Sequence, residues 1–329
     1  MVLEALEPHP NLESLYIKGY SGRYIPGWME SSTLRKIVKI NMSDCENIRC
    51  FPKLGELPHL EKLYLKNMGV EYIIEEEVGS GHPVKIQFPA LKELHLTNLP
   101  NLKGLSKEHE SKEAFPNLET LLIERCYSLD IPRCLSLEFE KSLTCFPIET
   151  LAKFSKLRTL TMTGVKEISV TREGLQALKE LTRLNLYSCQ TMRSLPEGML
   201  RHLTALNILL IVNCREFVEL PEDIKHLHNL EFLLLHDLPK MTRLPQAFQQ
   251  LISLYLIDLP ELESLPDQLP SLNSLYVIHC PKVMSIPALP NLKRLSIIAC
   301  PQLGRRCQKG SGEDWHKIAH VRSIDISPN

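Results

Sequence analysis

No run of eighteen apolar residues occurs in this chain of 329 residues, so no segment of it reads as a membrane-crossing helix. Met1 is not followed by a basic and then an apolar stretch, which argues against a secretory leader. An excess of one charge is also missing. The 38 Lys and Arg against 39 Asp and Glu leave a net charge of −1, with no bulk pull toward nucleic acid or anionic lipid. The ten cysteines contain no C-x-x-C, and G-x-x-x-x-G-K-[ST], G-x-S-x-G and H-E-x-x-H are all absent. These absences argue against a zinc ribbon, a P-loop, a serine hydrolase and a zinc protease. His316 and His320, four apart beside Trp315, have no third ligand and read as a packed or solvated pair. The expectation is a soluble, intracellular protein with no catalytic, metal or cofactor site.

What is present is a repeat. Leu181, Leu184, Leu186, Cys189 and Met192 stand at intervals of three, five, eight and eleven residues and lead into Leu195-Pro196. The same spacing recurs from Leu206 to Pro221, Leu230 to Pro245, Leu251 to Pro266 and Leu272 to Pro287, and upstream from Ile37 to Pro52. A further copy runs from Leu91 to Leu105 without the Pro. This is the leucine-rich-repeat signature. It predicts an α/β solenoid, a horseshoe with a parallel concave sheet and a far side of loops, turns and short helices. Each L-x-L is a short strand with its leucines inward. One repeat cannot bury its own apolar face, so neighbours stack and share a core. Such an array offers an extended surface rather than a pocket, so binding is the first expectation.

First leucines at 157, 181, 206, 230, 251, 272 and 292 give steps of 24, 25, 24, 21, 21 and 20. The longer steps leave room for short helices, as at 221–228 and 245–251. Weaker rows begin at Leu12, Leu60, Leu118 and Val321, and Leu135, Leu137 and Phe139 mark a degenerate unit. The whole, 1–329, reads as one repeat domain of about 13–14 units. Segment 304–329 serves as its cap, and insertions at 69–87 and 106–114 each end in Phe-Pro. Leu3, Leu6 and Leu12 would leave a first core layer open, which suggests preceding protein. Six cysteines (Cys45, Cys126, Cys189, Cys214, Cys280 and Cys300) share one turn position and read as buried, reduced core thiols.

Residues between the inward leucines face outward. Near the N-terminus these are polar and partly basic, with Lys18, Lys39, Lys62 and Lys66 as a stripe beside Tyr16, Asn41, Tyr64 and His95. Further on they are Thr159, Thr161 and Thr163. From the repeat at Leu206 they turn apolar: Ile208, Leu210, Val212, Phe232, Leu234, Tyr255, Ile257, Tyr276, Ile278 and Ile298. Ten such residues on five adjacent strands predict a patch about 20 Å across, the expected protein-binding site. Strand propensity alone does not explain them, because the N-terminal strands obey the same propensity and stay polar.

Segments outside the repeat carry a family likeness. L-E-A-L-E-P-H-P-N-L at 3–12, Gly19-Tyr20 with Gly22, Ile25-Pro26 and Trp28, L-G-E-L-P-H-L at 54–60 and G-E-D-W-H-K-I-A-H at 312–320 resemble plant intracellular immune receptors. The likeness is to the coiled-coil, nucleotide-binding, leucine-rich-repeat type, and in particular to the potato late-blight resistance group. That resemblance implies a cytoplasmic or nucleo-cytoplasmic module that restrains a nucleotide-binding switch and helps detect pathogen effectors. ADP or ATP would belong to that switch and not to this chain. The implied partners are the nucleotide-binding domain and an effector or a guarded host protein. The alternative is a substrate-recruiting adaptor of a ubiquitin ligase, which an F-box upstream would favour over a P-loop.

Overall fold

A computed structural model describes residues 3–6, 8–29, 33–49, 54–74, 87–106, 114–126, 145–147, 154–165, 167–169, 178–246 and 248–327. The chain divides into two compact units, Met1–Leu178 and Lys179–Asn329.

The first unit holds six ladder strands, β1 (Ser14–Lys18), β2 (Lys39–Cys45), β3 (Lys62–Met68), β4 (Glu93–Thr97), β5 (Thr120–Glu124) and β6 (Thr159–Thr163). Each pairs parallel with the next in an unbroken register. The second unit continues the pattern with β7 (Arg183–Tyr187), β8 (Ile208–Val212), β9 (Phe232–His236), β10 (Ser253–Ile257), β11 (Ser274–Ile278), β12 (Arg294–Ile298) and β13 (Ser323–Ser327). These are also parallel and in register. Each sheet is open, and the fold is a leucine-rich-repeat solenoid.

The spacing of the leucines produces this arrangement. Residues two apart on a strand share a face, so the second and third apolar residues of each repeat enter the core together. Leu63 and Leu65, Leu94 and Leu96, Leu209 and Ile211, and Leu233 and Leu235 are all buried. Each contributes roughly 1.5–3 kcal/mol by leaving water. The fourth position turns the chain, and there Cys45, Cys126, Cys189, Cys214, Cys280 and Cys300 are free, buried thiols. The Leu or Ile before each Pro is buried too, as at Leu195, Leu220, Leu244, Leu265 and Ile286.

A second ladder runs beside the leucines. At or just after twelve strands one residue adopts positive φ: Gly19, Asp44, Asn67, Asn98, Arg125, Gly164, Ser188, Asn213, Asp237, Asp258, His279 and Ala299. All stand seven residues after the first Leu or Ile of their repeat. Turned this way, the backbone N–H reaches the carbonyl at the end of the next strand, as from Asp237 to Ile257 and from Asp258 to Ile278. Glycine, Asn and Asp, which tolerate the left-handed region, supply eight of the twelve.

Other expectations meet mixed outcomes. Glu222–His226 is a 3-10 helix, as the longer step allowed, but 245–251 forms bends around residue 247, which lies outside the described residues. The step between Leu230 and Leu251 is one of the shorter ones, 21 residues, and no helix is present among its described residues. Leu135, Leu137 and Phe139 lie outside the described residues, as do Glu75–Glu77 and most of both insertions. The first insertion begins later than its sequence suggests. Val70, Ile73 and Ile74 are buried, and the strand Tyr72–Ile74 pairs with Gly104–Ser106 away from the ladder. The two Phe-Pro sites stack Phe88 on Phe115 at 4.9 Å, and Phe154 meets Phe115 edge-on at 5.7 Å.

At the C-terminal end α1 (Pro301–Arg306) and α2 (Trp315–Ile318) precede β13. Their lock is Asp314, only 2% exposed, which accepts from Arg306 Nε at 3.0 Å and Lys317 Nζ at 2.8 Å. Lys317 Nζ also donates to the Ile286 carbonyl, tying the segment to the repeat before it.

Candidate functional site

Because every register in the second unit is unshifted, its outward side chains fall into three rows across the strands. The first row is Arg183, Ile208, Phe232, Ser253, Ser274, Arg294 and Ser323. The second is Asn185, Leu210, Leu234, Tyr255, Tyr276, Ser296 and Asp325. The third is Tyr187, Val212, His236, Ile257, Ile278, Ile298 and Ser327. All ten residues of the expected patch therefore lie on one sheet face, distributed over the three rows. All ten are half-buried, each shielded by its row neighbours but still open to solvent.

The patch is thickest along the second row. Tyr255 and Tyr276 stack at 4.3 Å with ring planes 6° apart, and Phe232 tilts onto Tyr255 at 5.1 Å. The Tyr255 phenol is pushed above its ordinary range by burial, and further by its hydrogen bond with Tyr276. Stacked aromatic rings present a large, stiff area at small entropic cost, the composition that anchors protein interfaces.

Sequence reasoning missed the polar insertion within this patch. His236 occupies the third row between Val212 and Ile257, and its Nε2 lies 3.1 Å from Asp258 Oδ2. The other oxygen of Asp258 lies 2.7 Å from His279 Nδ1. One carboxylate on a left-handed turn thus fixes an imidazole on each neighbouring strand. Asp237, Asp258 and His279 do share one repeat position in successive units, but His236 stands one residue earlier and nothing in the spacing joins it to Asp258.

The face of the first unit has a different chemistry. Its rows carry one aliphatic side chain, Leu122, among Lys, Tyr, Thr, Ser, Asn, His and Glu. Lys62 Nζ pairs with Glu93 at 2.7 Å, and the Tyr64 hydroxyl donates to the other Glu93 oxygen at 2.6 Å. Burial and this bond push the Tyr64 phenol up to about 12. Burial opposes ionisation of Glu93 as well, but the donors Lys62 and Tyr64 prevail and hold its carboxyl below the usual range. Lys39 Nζ sits over the rings of Tyr16 at 5.3 Å and Tyr64 at 5.0 Å. Lys18 lies 3.9 Å from Asp44, and Lys66 is exposed. The four stripe lysines thus share one face, but Lys62 is tied to Glu93 and Lys39 to aromatic rings.

Cys126 is pushed up to about 11 and Cys307 to about 12 by burial. His316 and His320 do not face each other: His316 Nδ1 lies 2.8 Å from the Glu313 carbonyl and His320 Nε2 3.0 Å from the Leu289 carbonyl. Among the described residues no helix is long and apolar enough to cross a membrane.

With this geometry in place, the likenesses to known proteins become informative. Residues 1–68 match the family described as R13L1/DRL21 LRRs. Along 99% of its length the chain is 37% identical to the putative disease resistance protein RGA1 of Solanum bulbocastanum. Over the same share it is 36% identical to disease resistance protein RGA2 and 35% identical to putative disease resistance protein RGA4, both of that species. It spans 29%, 28% and 30% of the lengths of these three relatives, respectively. Among solved structures, the Leptospira interrogans LRR protein LIC12759 superposes with a TM-score of 0.50 at 19% identity, over 96% of this chain and 78% of that one. The Toll–Spatzle complex of Drosophila gives a TM-score of 0.50 at 15% identity, over 95% and 44%. By its fold the chain is a leucine-rich-repeat region, and along nearly its whole length it is similar to a part of these Solanum disease-resistance proteins.

Proposed function

We propose that the chain is the protein-binding sensor of a cytoplasmic plant immune receptor, and that it contributes to recognising a pathogen effector or a guarded host protein. In the resting receptor the same repeats hold the nucleotide-binding domain off. Recognition releases that restraint because the ligand favours the released state, since a ligand that bound both states equally would shift nothing. The chain binds without catalysing. Nucleotide belongs to the neighbouring domain, and this chain carries no cofactor of its own.

The observation that carries the reading is the apolar second row, Leu210, Leu234, Tyr255 and Tyr276, adjacent on one sheet face and each still partly open to solvent. Contiguous apolar surface of this extent on a soluble domain marks a partner site. The testing experiment introduces Leu210→Asp with Tyr255→Asp into the full-length receptor. Partner capture is then lost, or the receptor signals without its trigger, while circular dichroism of the purified chain stays unchanged. A double variant that binds and signals normally removes this face from the mechanism.

A further inference from the structure

The docking face has more than an apolar centre, because its two edges carry opposite charge. Arg183 and Arg294 flank the first row's Ile208, Phe232, Ser253 and Ser274, both exposed and neither in an ion pair among the described residues. Glu231, exposed just before Phe232, confines this positive edge to its two ends. Along the opposite edge, beyond the third row, the left-handed residues Asp237 and Asp258 directly follow β9 and β10, near the middle of the β8–β12 face. Asp258 is held in place by His236 and His279.

The spacing of the rows selects the shape of the partner. Neighbouring strands lie about 4.8 Å apart, and an α-helix rises about 5.4 Å per turn. A helix laid across the strands therefore sets one turn over each strand, slipping only about 0.6 Å per step. An extended peptide repeats its same-face side chains every ~6.7 Å and falls out of step by nearly 2 Å at each strand. The outer rows lie about 13 Å apart, four residues along a strand, close to the 10–12 Å width of a helix.

We infer that this face takes an amphipathic helix of a partner protein. The helix lies across β8 to β12 with its apolar stripe on Leu210, Leu234, Tyr255 and Tyr276. Acidic residues near its two ends face Arg183 and Arg294, and Lys or Arg at mid-length on its other flank face Asp237 and Asp258. This inference rests on the docking function proposed above and adds the chemistry of the occupant. The charged edges set orientation and selectivity, and the rows supply the contact area.

The test uses the whole 329-residue chain and two helical peptides of identical composition, read by fluorescence anisotropy. In the sorted peptide, Glu residues lie on one flank and Lys on the other. In the mixed peptide each flank carries both. The sorted peptide binds about tenfold more tightly, and the difference shrinks as salt rises. Arg183→Glu with Arg294→Glu removes that preference, as does Asp237→Lys with Asp258→Lys. The milder pairs Arg183→Gln/Arg294→Gln and Asp237→Asn/Asp258→Asn lower it without reversing charge. Combining both reversals restores the preference, because a helix turned end for end exchanges its flanks. Equal affinity for the two peptides, or no affinity for either, overturns the inference. If the two bind equally and Leu210→Asp abolishes both, the docking face stands and the charged-helix partner falls. Binding indifferent to Leu210→Asp also counts against the face itself.

Discussion

The two units use one core plan and two surface chemistries. Inward positions are interchangeable between them: Leu94 and Leu96 in the first, Leu233 and Leu235 in the second, all fully buried. Outward positions differ. In the first unit they engage one another, with Glu93 held by Lys62 and Tyr64, Lys39 over two rings, and an Asp44–Asn67–Asn98 side-chain ladder at 2.6 and 2.8 Å. In the second, aliphatic and aromatic side chains fill the middle of the face, and beside the His236–Asp258–His279 bonds they leave apolar area partly open to water. The contrast teaches that the repeat spacing constrains only every second residue of a strand. The others are free to follow function, and among the described residues the strand face of the second unit is the more apolar of the two.

If the cores are equivalent, truncating them must be equally damaging. Leu94→Ala and Leu233→Ala should each destabilise by about 3 kcal/mol in urea unfolding, through lost burial and a residual cavity. A difference above about 1 kcal/mol would break the equivalence of the cores.

The next effect belongs to the second unit alone. Burial pushes the Asp314 carboxyl upward, but its bonds to Arg306 and Lys317 outweigh that and hold it below the ordinary carboxylate range. A depressed carboxylate stabilises fully above its unfolded value, and the contribution is lost as pH falls through the folded value. The cap should therefore loosen only in acid more extreme than an ordinary Asp requires. Asp314→Asn should weaken it by about 2 kcal/mol at neutral pH and abolish that acid step. Trp315 fluorescence in a Trp28→Phe background reads this directly.

On the first unit's face, Glu93→Gln should destabilise by about 1 kcal/mol and let Tyr64 titrate closer to its ordinary range in an ultraviolet difference titration. The raised phenol supports the fold below its unfolded value, and that support is lost as pH rises through about 12. A Tyr64 titration unmoved by the substitution would disconnect it from Glu93.

The smallest change in stability is expected on the apolar face. Ile257→Ala, at a half-buried site, should alter unfolding by under about 1 kcal/mol while weakening partner capture by more than that. The opposite ranking would make the second face structural, like the first.

Much of this was legible from residue order. The period places Leu181 and its counterparts inward, and strand alternation then forces Leu210, Tyr255 and Tyr276 onto a common outer face. The unshifted register turns alternation into rows, so the patch follows from counting. Other features were not legible. Nothing in local spacing says that Asp258 joins His236 to His279, since these residues are 22 and 21 positions away. Nor does it say that Tyr255 and Tyr276 lie flat on each other rather than edge-on. Val70, Ile73 and Ile74 read as the start of an insertion, because a buried excursion outside the period looks like any loop.

Residue order by itself determined the architecture, because a leucine pair every two dozen residues has no way to leave water except by stacking on the next pair. It also determined which side chains are left over on the other face. Only the tertiary structure decided what those side chains do to one another. Parallel pairing brings residues from successive repeats within about 5 Å, where a carboxylate can bridge two imidazoles or two rings can stack. At that distance rotamer and hydrogen-bond geometry decide the outcome, and neither is written in the spacing.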